Sequence, residues 1–387
     1  MIRSVSCLMM FSFLFVTIQT TKAFNEEVNQ FVKPTIEVVF TLDTTGSMSG
    51  LIQAAKEKIW AIANTLASAT PAPDIKMGLV GYRDRGDEYV TKWTDLTDNL
   101  DKVYAELMAF QANGGGDTPE SVNEALYTAV IENAWSKDEK TYRVIFLVGD
   151  CPPHMDYEDD MKYPDICKKS VERGIIINTI QCGNHMETEP IWSDIAQKGE
   201  GRYFRVEQSG GAILASTPFD ATLAVLSQEL DETRIGFGDA TERNEMAERK
   251  DVAEKIYHTA PLSAQAQRSY FNVSKSGIKN FAGEKELISA IADGEIKLSE
   301  VKKDQLPDNL QSMSVEEREK YVKEMMDKRS HLQESIKKIG AQRQMYIDEQ
   351  IRKSGLKGKA SFDHAIFQCI KEQTIKKGIL FSDAQAH

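Results

Sequence analysis

From position 35 the chain alternates two textures. Short runs that are mostly apolar and rich in β-branched residues fall at 36–42, 75–82, 142–148, 175–180 and 202–206. Between them lie longer stretches whose apolar residues return every three or four positions, at 51–67, 103–110, 122–135, 166–173, 191–196 and 221–230. The first texture reads as buried strand and the second as amphipathic helix. A short extra strand is predicted at 89–93, across the turn 83–87. Strands this apolar leave no face for water, so the alternation predicts a sheet covered on both sides. The expected fold class is α/β, a doubly wound, mostly parallel, Rossmann-like sheet. Trp60, Trp93, Trp135 and Trp192 read as packing anchors rather than a stacking platform.

Around Gly236-Phe237-Gly238 the pattern changes. From 241 onward strand signals fade and charged helical segments dominate. The longest, 315–351, opens on Ser314 with Glu317 three residues later, a capping-box spacing, and Pro307 separates it from 285–303. The expected division is a sheet domain over 35–232 and an all-α region over 240–387. The mixed charges at 315–351 fit a solvated helix face, or a coiled coil through which chains oligomerise.

Residues 1–23 stand apart. Arg3, the apolar run 7–18 and the closing Thr21-Lys22-Ala23 form the pattern of a secretory signal peptide. The run is short for a membrane span, which counts against an uncleaved anchor. The mature chain is therefore expected in the periplasm or outside the cell, with no transmembrane span after cleavage. The net charge of −12 is unevenly shared: residues 1–239 hold 21 Lys+Arg against 36 Asp+Glu, and residues 240–387 hold 26 against 23. An acidic sheet domain argues against nucleic acid as a partner and favours cations. Beyond the leader lie Cys151, Cys167, Cys182 and Cys369, which allow three pairings in an oxidising compartment. Cys151 and Cys182 each follow a predicted strand, and neighbouring parallel strands would bring them within disulfide reach. No CxxC or HxxxH spacing points to zinc.

The candidate chemistry is Asp43-Thr44-Thr45-Gly46-Ser47, between the first strand and the first helix. Ligands of open α/β sheets bind beyond the carboxyl ends of the strands. There Asp43, Thr45 and Ser47 can turn three oxygens to one point, which suits Mg²⁺, Mn²⁺ or Ca²⁺. Two more acidic segments fall on the same predicted edge: Gly114-Gly115-Gly116-Asp117-Thr118-Pro119-Glu120, and Asp150 at the end of the strand 142–149. Each segment alone could be a turn or a helix cap. Their convergence is what favours a metal.

These residues resemble a von Willebrand factor A domain over roughly 35–232. Asp43-Thr44-Thr45-Gly46-Ser47 matches the metal-ion-dependent adhesion site motif DxSxS, with Thr45 in place of its first serine, and Asp150 matches the family's distal aspartate. More narrowly, Gly-Tyr-Arg-Asp (81–84), Gly-Gly-Gly-Asp-Thr-Pro-Glu-Ser (114–121) and Val-Gly-Asp-Cys-Pro-Pro-His (148–154) are similar to an exported bacterial group with a helical C-terminal tail. The family's usual fourth ligand is a threonine, here Thr118. Yet Asp117-Thr118-Pro119-Glu120 is similar to the Asp-x-Pro-Glu found in the A-type domains of β integrins. That resemblance implies Glu120 as the ligand, with Asp117 serving a neighbouring cation. Ser49-Gly50 stands where further carboxylates of a three-cation cluster would be, so one metal is expected.

The resemblance implies an exported binding module in which the metal captures a carboxylate of a protein partner. The alternatives are a scaffold whose metal only ties loops together, and a hydrolase using metal-activated water with Glu120, Asp150 or His154 as base. No catalytic constellation is expected. Cys151 and His154 could pair as nucleophile and base, though a disulfide fits export better. Arg85-Gly86-Asp87 is expected in a hairpin turn opposite the metal edge, and His185 in a loop. Residues 156–160 read as a solvated acidic loop or a Ca²⁺ site.

Overall fold

The computed structural model describes residues 33–116, 118–210, 216–354 and 362–381. The leader at 1–23 and Asp117 lie outside the described residues. Strands β1 (Thr35–Asp43), β2 (Asp74–Tyr82), β3 (Thr91–Thr97), β4 (Tyr142–Gly149), β5 (Ile175–Cys182) and β6 (Glu200–Val206) form one sheet in the order β3-β2-β1-β4-β5-β6. β2, β1, β4, β5 and β6 run parallel, and β3 is antiparallel at the edge. The carboxyl ends of β1, β2 and β4 therefore share one rim. β1 and β4 are the most buried strands because side chains on both of their faces meet helices.

Helices α1 (Ser49–Ala67) and α2 (Leu100–Ala109) cover one face. There Ile36, Val38, Phe40 and Leu42 of β1 join Leu51, Ile52, Ala55 and Ile59 of α1 in a continuous apolar core. α3 (Val122–Tyr127), α4 (Tyr163–Glu172) and α5 (Thr188–Lys198) cover the other, through Val122, Leu126, Ile166, Trp192 and Ile195. The single helix expected over 122–135 is cut short. After Tyr127 the chain widens into a π turn over Thr128–Glu132, and Asn133 closes it by donating its side-chain amide to the Thr128 carbonyl at 3.1 Å.

The remaining helices are α6 (Asp220–Glu232), α7 (Ala240–Thr259), α8 (Leu262–Asn272), α9 (Ile278–Ala282), α10 (Leu287–Ala292), α11 (Asp308–Gln311), α12 (Val315–Ser354) and α13 (Phe362–Gln373). The Ser314–Glu317 capping box forms as expected. α6 does not cover the sheet; Leu223 and Leu230 pack in a separate core with α8 and α12. α13 takes a place on the α1 side instead, where Ala365, Ile366, Cys369 and Ile370 enter the sheet core. The Gln373 side chain accepts from Tyr142 Oη at 2.6 Å and donates to Asn178 Oδ1 at 2.8 Å. Farther on, Leu380 exchanges both backbone hydrogen bonds with Thr70. Val322, Leu332 and Ile336 line one stripe of α12 and are buried against the same chain, the contact a coiled-coil partner would otherwise supply. Among the described residues no helix is long and apolar enough to cross a membrane.

Buried arginines join these layers. Arg268 of α8, wholly buried, grips both carboxylate oxygens of Asp101 in α2 at 2.6 Å and reaches Asp231 of α6 at 2.8 Å. Tyr257 of α7 donates to Asp231 and accepts from Arg268. Arg329 of α12 makes the equivalent fork on Glu286, at 2.7 and 3.0 Å, and Arg343 reaches Asp220 at 2.7 Å. Removing one member of a buried pair strands the other charge, which costs about 3–5 kcal/mol. Arg268→Ala is accordingly expected to lower the unfolding free energy by about that much in urea denaturation. A loss near that of an exposed pair, below about 1 kcal/mol, would contradict the role given to Arg268.

Candidate metal centre

The loops after the parallel strands are tied to one another by backbone hydrogen bonds, and this places the candidate residues together. The Thr44 N–H donates to the Tyr82 carbonyl at 2.8 Å, fixing the end of β1 to the end of β2. Gly46 N–H donates to Gly114 O and Asn113 N–H to Thr44 O, both at 3.1 Å, which fastens the glycine loop onto the first motif. Glu120 N–H donates to Pro152 O and His154 N–H to Glu120 O, both at 3.0 Å, which sets Glu120 beside the segment after Asp150. Gly115, at φ +70°, permits a close approach: a Cβ there would stand 2.8 Å from Thr45 Cβ and 2.9 Å from Glu120 Oε1. The Thr45 and Glu120 side chains are thus neighbours across a glycine that no L side chain can replace without strain.

Within the first motif, Asp43 Oδ1 accepts from the Thr45 N–H at 2.8 Å and from the Thr45 hydroxyl at 2.6 Å. Ser47 Oγ lies 3.2 Å from Thr45 Oγ1. Asp43 and Thr45 are buried, while Ser47 faces solvent. Glu120 and Asp150 are buried as well, whereas Thr118 is exposed, with its hydroxyl 3.8 Å from Cys151 Sγ. Three carboxylate oxygens, Asp43 Oδ2, Glu120 Oε2 and Asp150 Oδ1, are buried and accept no hydrogen bond. Among the described residues no three Asp, Glu, His or Cys side chains meet closely enough to chelate an ion by themselves. The donors that converge here mix hydroxyls with carboxylates, and an all-oxygen set of this kind fits a hard divalent cation.

Burial pushes Glu120 up to about 9, with the charges of Asp43, Asp84, Asp87 and Asp150 adding to the rise. Burial also lifts Asp43 to about 7; the Thr45 hydroxyl opposes this and Asp150 adds to it. The Cys151 thiol is likewise raised by burial, then by Asp150 beside it. His154 does not face Cys151 as a base would. Its Nδ1 lies 2.8 Å from Asp156 Oδ1, its Nε2 lies 3.4 Å from Asp84 Oδ2, and its ring stacks on Tyr157.

Two expectations about this edge are corrected. Cys151 and Cys182 are not bonded; all four described cysteines carry free thiols. Cys182 turns into the core on the α1 side, whereas Cys151 turns to Thr118. Arg85-Gly86-Asp87 lies on the candidate metal edge and not opposite it, because β2 runs parallel to β1 and both end at the same rim. Asp87 Oδ2 accepts from the Gly115 N–H at 3.0 Å, bracing the glycine loop. Arg85 stacks on Tyr157 and pairs with Asp159 at 2.9 Å and Asp160 at 2.5 Å, so these carboxylates of the 156–160 run are held by a guanidinium. Trp60 and Trp192 are core residues, Trp135 is half-buried, and Trp93 is exposed on edge strand β3. His185 sits in a loop, bonded to Thr188.

The sequence reading missed the residues that brace the site. Arg83 is buried and donates to the Thr44 carbonyl at 3.3 Å and to the Gln111 carbonyl at 2.8 Å, joining two rim loops. Asp84 accepts from Ser121 Oγ at 2.8 Å and from Tyr157 Oη at 3.0 Å. The signal was present in Gly-Tyr-Arg-Asp (81–84), whose place at the end of β2 puts it on the rim.

The raised carboxylates fix a sign for the pH response. Their folded values of about 7 and about 9 exceed the ordinary 3.8 and 4.5, so the fold holds protons that the unfolded chain releases. Without cations, stability is therefore expected to fall as pH rises from about 4 through 9. Thermal unfolding in EDTA should show Asp43→Asn and Glu120→Gln each flattening that decline relative to the wild type. Parallel slopes in all three proteins would contradict it.

Comparison with known proteins bears on residues 37–217, which match a family model described as a von Willebrand factor A domain. A protein described as an ariadne-like RING finger protein of Acanthamoeba polyphaga mimivirus is 20% identical over 207 residues, 49% of this chain and 20% of that protein. This chain thus spans about a fifth of the length of that relative. Among solved structures, proximal thread matrix protein 1 of the mussel byssus is 14% identical, with 46% of this chain and 42% of that one covered at a TM-score of 0.36. The same mussel protein with a zinc-occupied MIDAS motif gives 15% identity over 46% and 42% of the two chains, TM-score 0.36. The VWA domain of SpRpn10 gives 13% identity over 47% of this chain and all of that one, TM-score 0.35. The matched span runs from the second residue past the start of β1 to the approach of α6 and takes in all of the sheet but the first two residues of β1, with its rim. Residues 37–217 are a von Willebrand factor A domain, continued in this chain by a region rich in helix.

Proposed function

We propose that this chain is an exported protein-binding module that depends on a divalent cation. The observation that carries the reading is the trio of buried carboxylate oxygens, on Asp43, Glu120 and Asp150, that accept no hydrogen bond. Buried charge persists where an opposite charge compensates it. Asp43, Thr45, Ser47, Glu120 and Asp150 would hold one ion, Mg²⁺ or alternatively Mn²⁺ or Ca²⁺. When bound, that ion supplies a Lewis-acidic position which a carboxylate of a protein partner completes.

The chain's own residues then divide the work. The doubly hydrogen-bonded Asp43 holds the Thr45 hydroxyl in place, and Glu120 closes the buried side in preference to the exposed Thr118. Gly46, Ser47, Gly116 and Thr118 are exposed, which leaves the outer side open to a partner. The acidic excess of the first 239 residues repels an acidic partner until a cation is in place, so capture should be strictly cation-dependent. Export rests on the leader pattern at 1–23.

Calorimetric titration of the mature chain with Mg²⁺ tests this. Saturable binding is expected in the wild type and in Thr118→Ala, and none in Asp43→Ala or Glu120→Ala. Retention in Glu120→Ala with loss in Thr118→Ala would transfer the ligand role to Thr118, and absence of binding in the wild type would end the proposal.

A further inference from the structure

An aspartate at a strand end can turn either carboxylate oxygen toward its neighbours, and at Asp150 one side chain selects which. Gln208, in the loop after β6, donates Nε2 to Asp150 Oδ2 at 2.8 Å and lies 3.3 Å from the Ser47 carbonyl. It thereby bridges Asp150 to the first motif from a part of the chain that carries no motif of its own. Asp150 Oδ1 is left buried without a hydrogen bond. The main chain of Asp150 is pinned separately, because the buried Thr188 hydroxyl donates to its carbonyl at 2.8 Å.

The loop that carries Gln208 is admitted by two glycines. A Cβ at Gly50, in the first turn of α1, would stand 3.0 Å from Ser209 Cα. A Cβ at Gly183, just after β5, would stand 2.2 Å from Gln208 Oε1. Residues 208 and 209 therefore lie across the rim through a gap that larger side chains would fill. Gln208 is itself exposed, so its role lies in what its amide holds rather than in what it buries.

We infer that Gln208 is a positioning residue for the metal centre: by occupying Asp150 Oδ2 it makes Asp150 a one-oxygen donor and biases the site toward Mg²⁺ over Ca²⁺. The inference rests on the metal-binding reading proposed above. Mg²⁺ demands near-octahedral, single-oxygen contacts, whereas Ca²⁺ accepts two oxygens of one carboxylate and a looser shell. With the Gln208 amide gone, Asp150 is free to rotate and offer both oxygens. Groups that orient a ligand in this way typically account for about 10–100-fold in metal affinity.

The test is calorimetric titration of the mature full chain and its Gln208→Leu variant with Mg²⁺ and with Ca²⁺, alongside thermal unfolding of both proteins in EDTA. Gln208→Leu is expected to weaken Mg²⁺ binding by about tenfold or more, to leave Ca²⁺ binding nearly unchanged, and to unfold in EDTA at the wild-type temperature. The shifted ratio between the two cations is the readout that a merely structural role would not move. Equal losses for both cations, with or without a lower unfolding temperature, would overturn the inference, as would unchanged Mg²⁺ binding. Wild-type protein that binds neither cation would overturn this inference together with the function it rests on; a wild type that binds and a variant that behaves identically would overturn this inference alone.

Discussion

Taking a carboxylate oxygen out of water without giving it a donor costs several kcal/mol, and Asp43, Glu120 and Asp150 each do so at one edge of the sheet. The arrangement of the rim follows from that cost. β1, β2 and β4 run parallel, so their carboxyl ends must share an edge, and the loops there are laced together through Thr44, Gly46, Asn113 and Glu120. Lacing fixes the main chain that carries the acidic side chains. Burial raises Glu120 and Asp43 above the ordinary carboxylate range, which expresses the same cost.

Rigidity of that kind needs support from behind, and the helical half of the chain provides it. α2 leads into the loop at 110–116 that carries the glycines, and Arg268 of α8 grips Asp101 in its first turn. α13 returns from the far end of the sequence to cover the sheet beside α1, and Leu380 pairs with Thr70. α6, the helix nearest in sequence to β6, is released into the second layer with α8 and α12. The long α12 spends its apolar stripe on that layer, and Arg329 and Arg343 anchor it through buried carboxylates.

Much of this fold is written locally. Continuous apolar runs such as Val38-Val39-Phe40 mark strands buried on both faces, and the spacing of Leu51, Ala55 and Ile59 marks one face of α1. The convergence of Asp43, Thr45, Ser47, Glu120 and Asp150 on one rim was legible because strand ends in a parallel sheet can be placed from their order alone. What was not legible depends on contacts between segments far apart. Nothing in 362–373 announces a seat on the sheet, and nothing in Gln208 announces a hydrogen bond to Asp150. The direction of β2, rather than the residues themselves, puts Arg85-Gly86-Asp87 on the rim that carries the candidate ligands. The Cys151–Cys182 expectation failed for a related reason: adjacent strand ends were foreseen, but the side chains leave them toward different neighbours. The helix expected over 122–135 continues past Tyr127 only as a π turn and ends at Glu132, which periodicity does not reveal.

The central claim is that the buried carboxylates at the rim exist to hold a hard divalent cation. A crystal of the mature chain soaked in Mn²⁺ and measured at the manganese absorption edge addresses it directly. One anomalous peak is expected within coordination distance of Asp43 or its Thr45 and Ser47 hydroxyl neighbours, on the side facing Glu120 and Asp150. A fully soaked crystal with no peak there, or with its only peak at another acidic cluster such as 156–160, would contradict it.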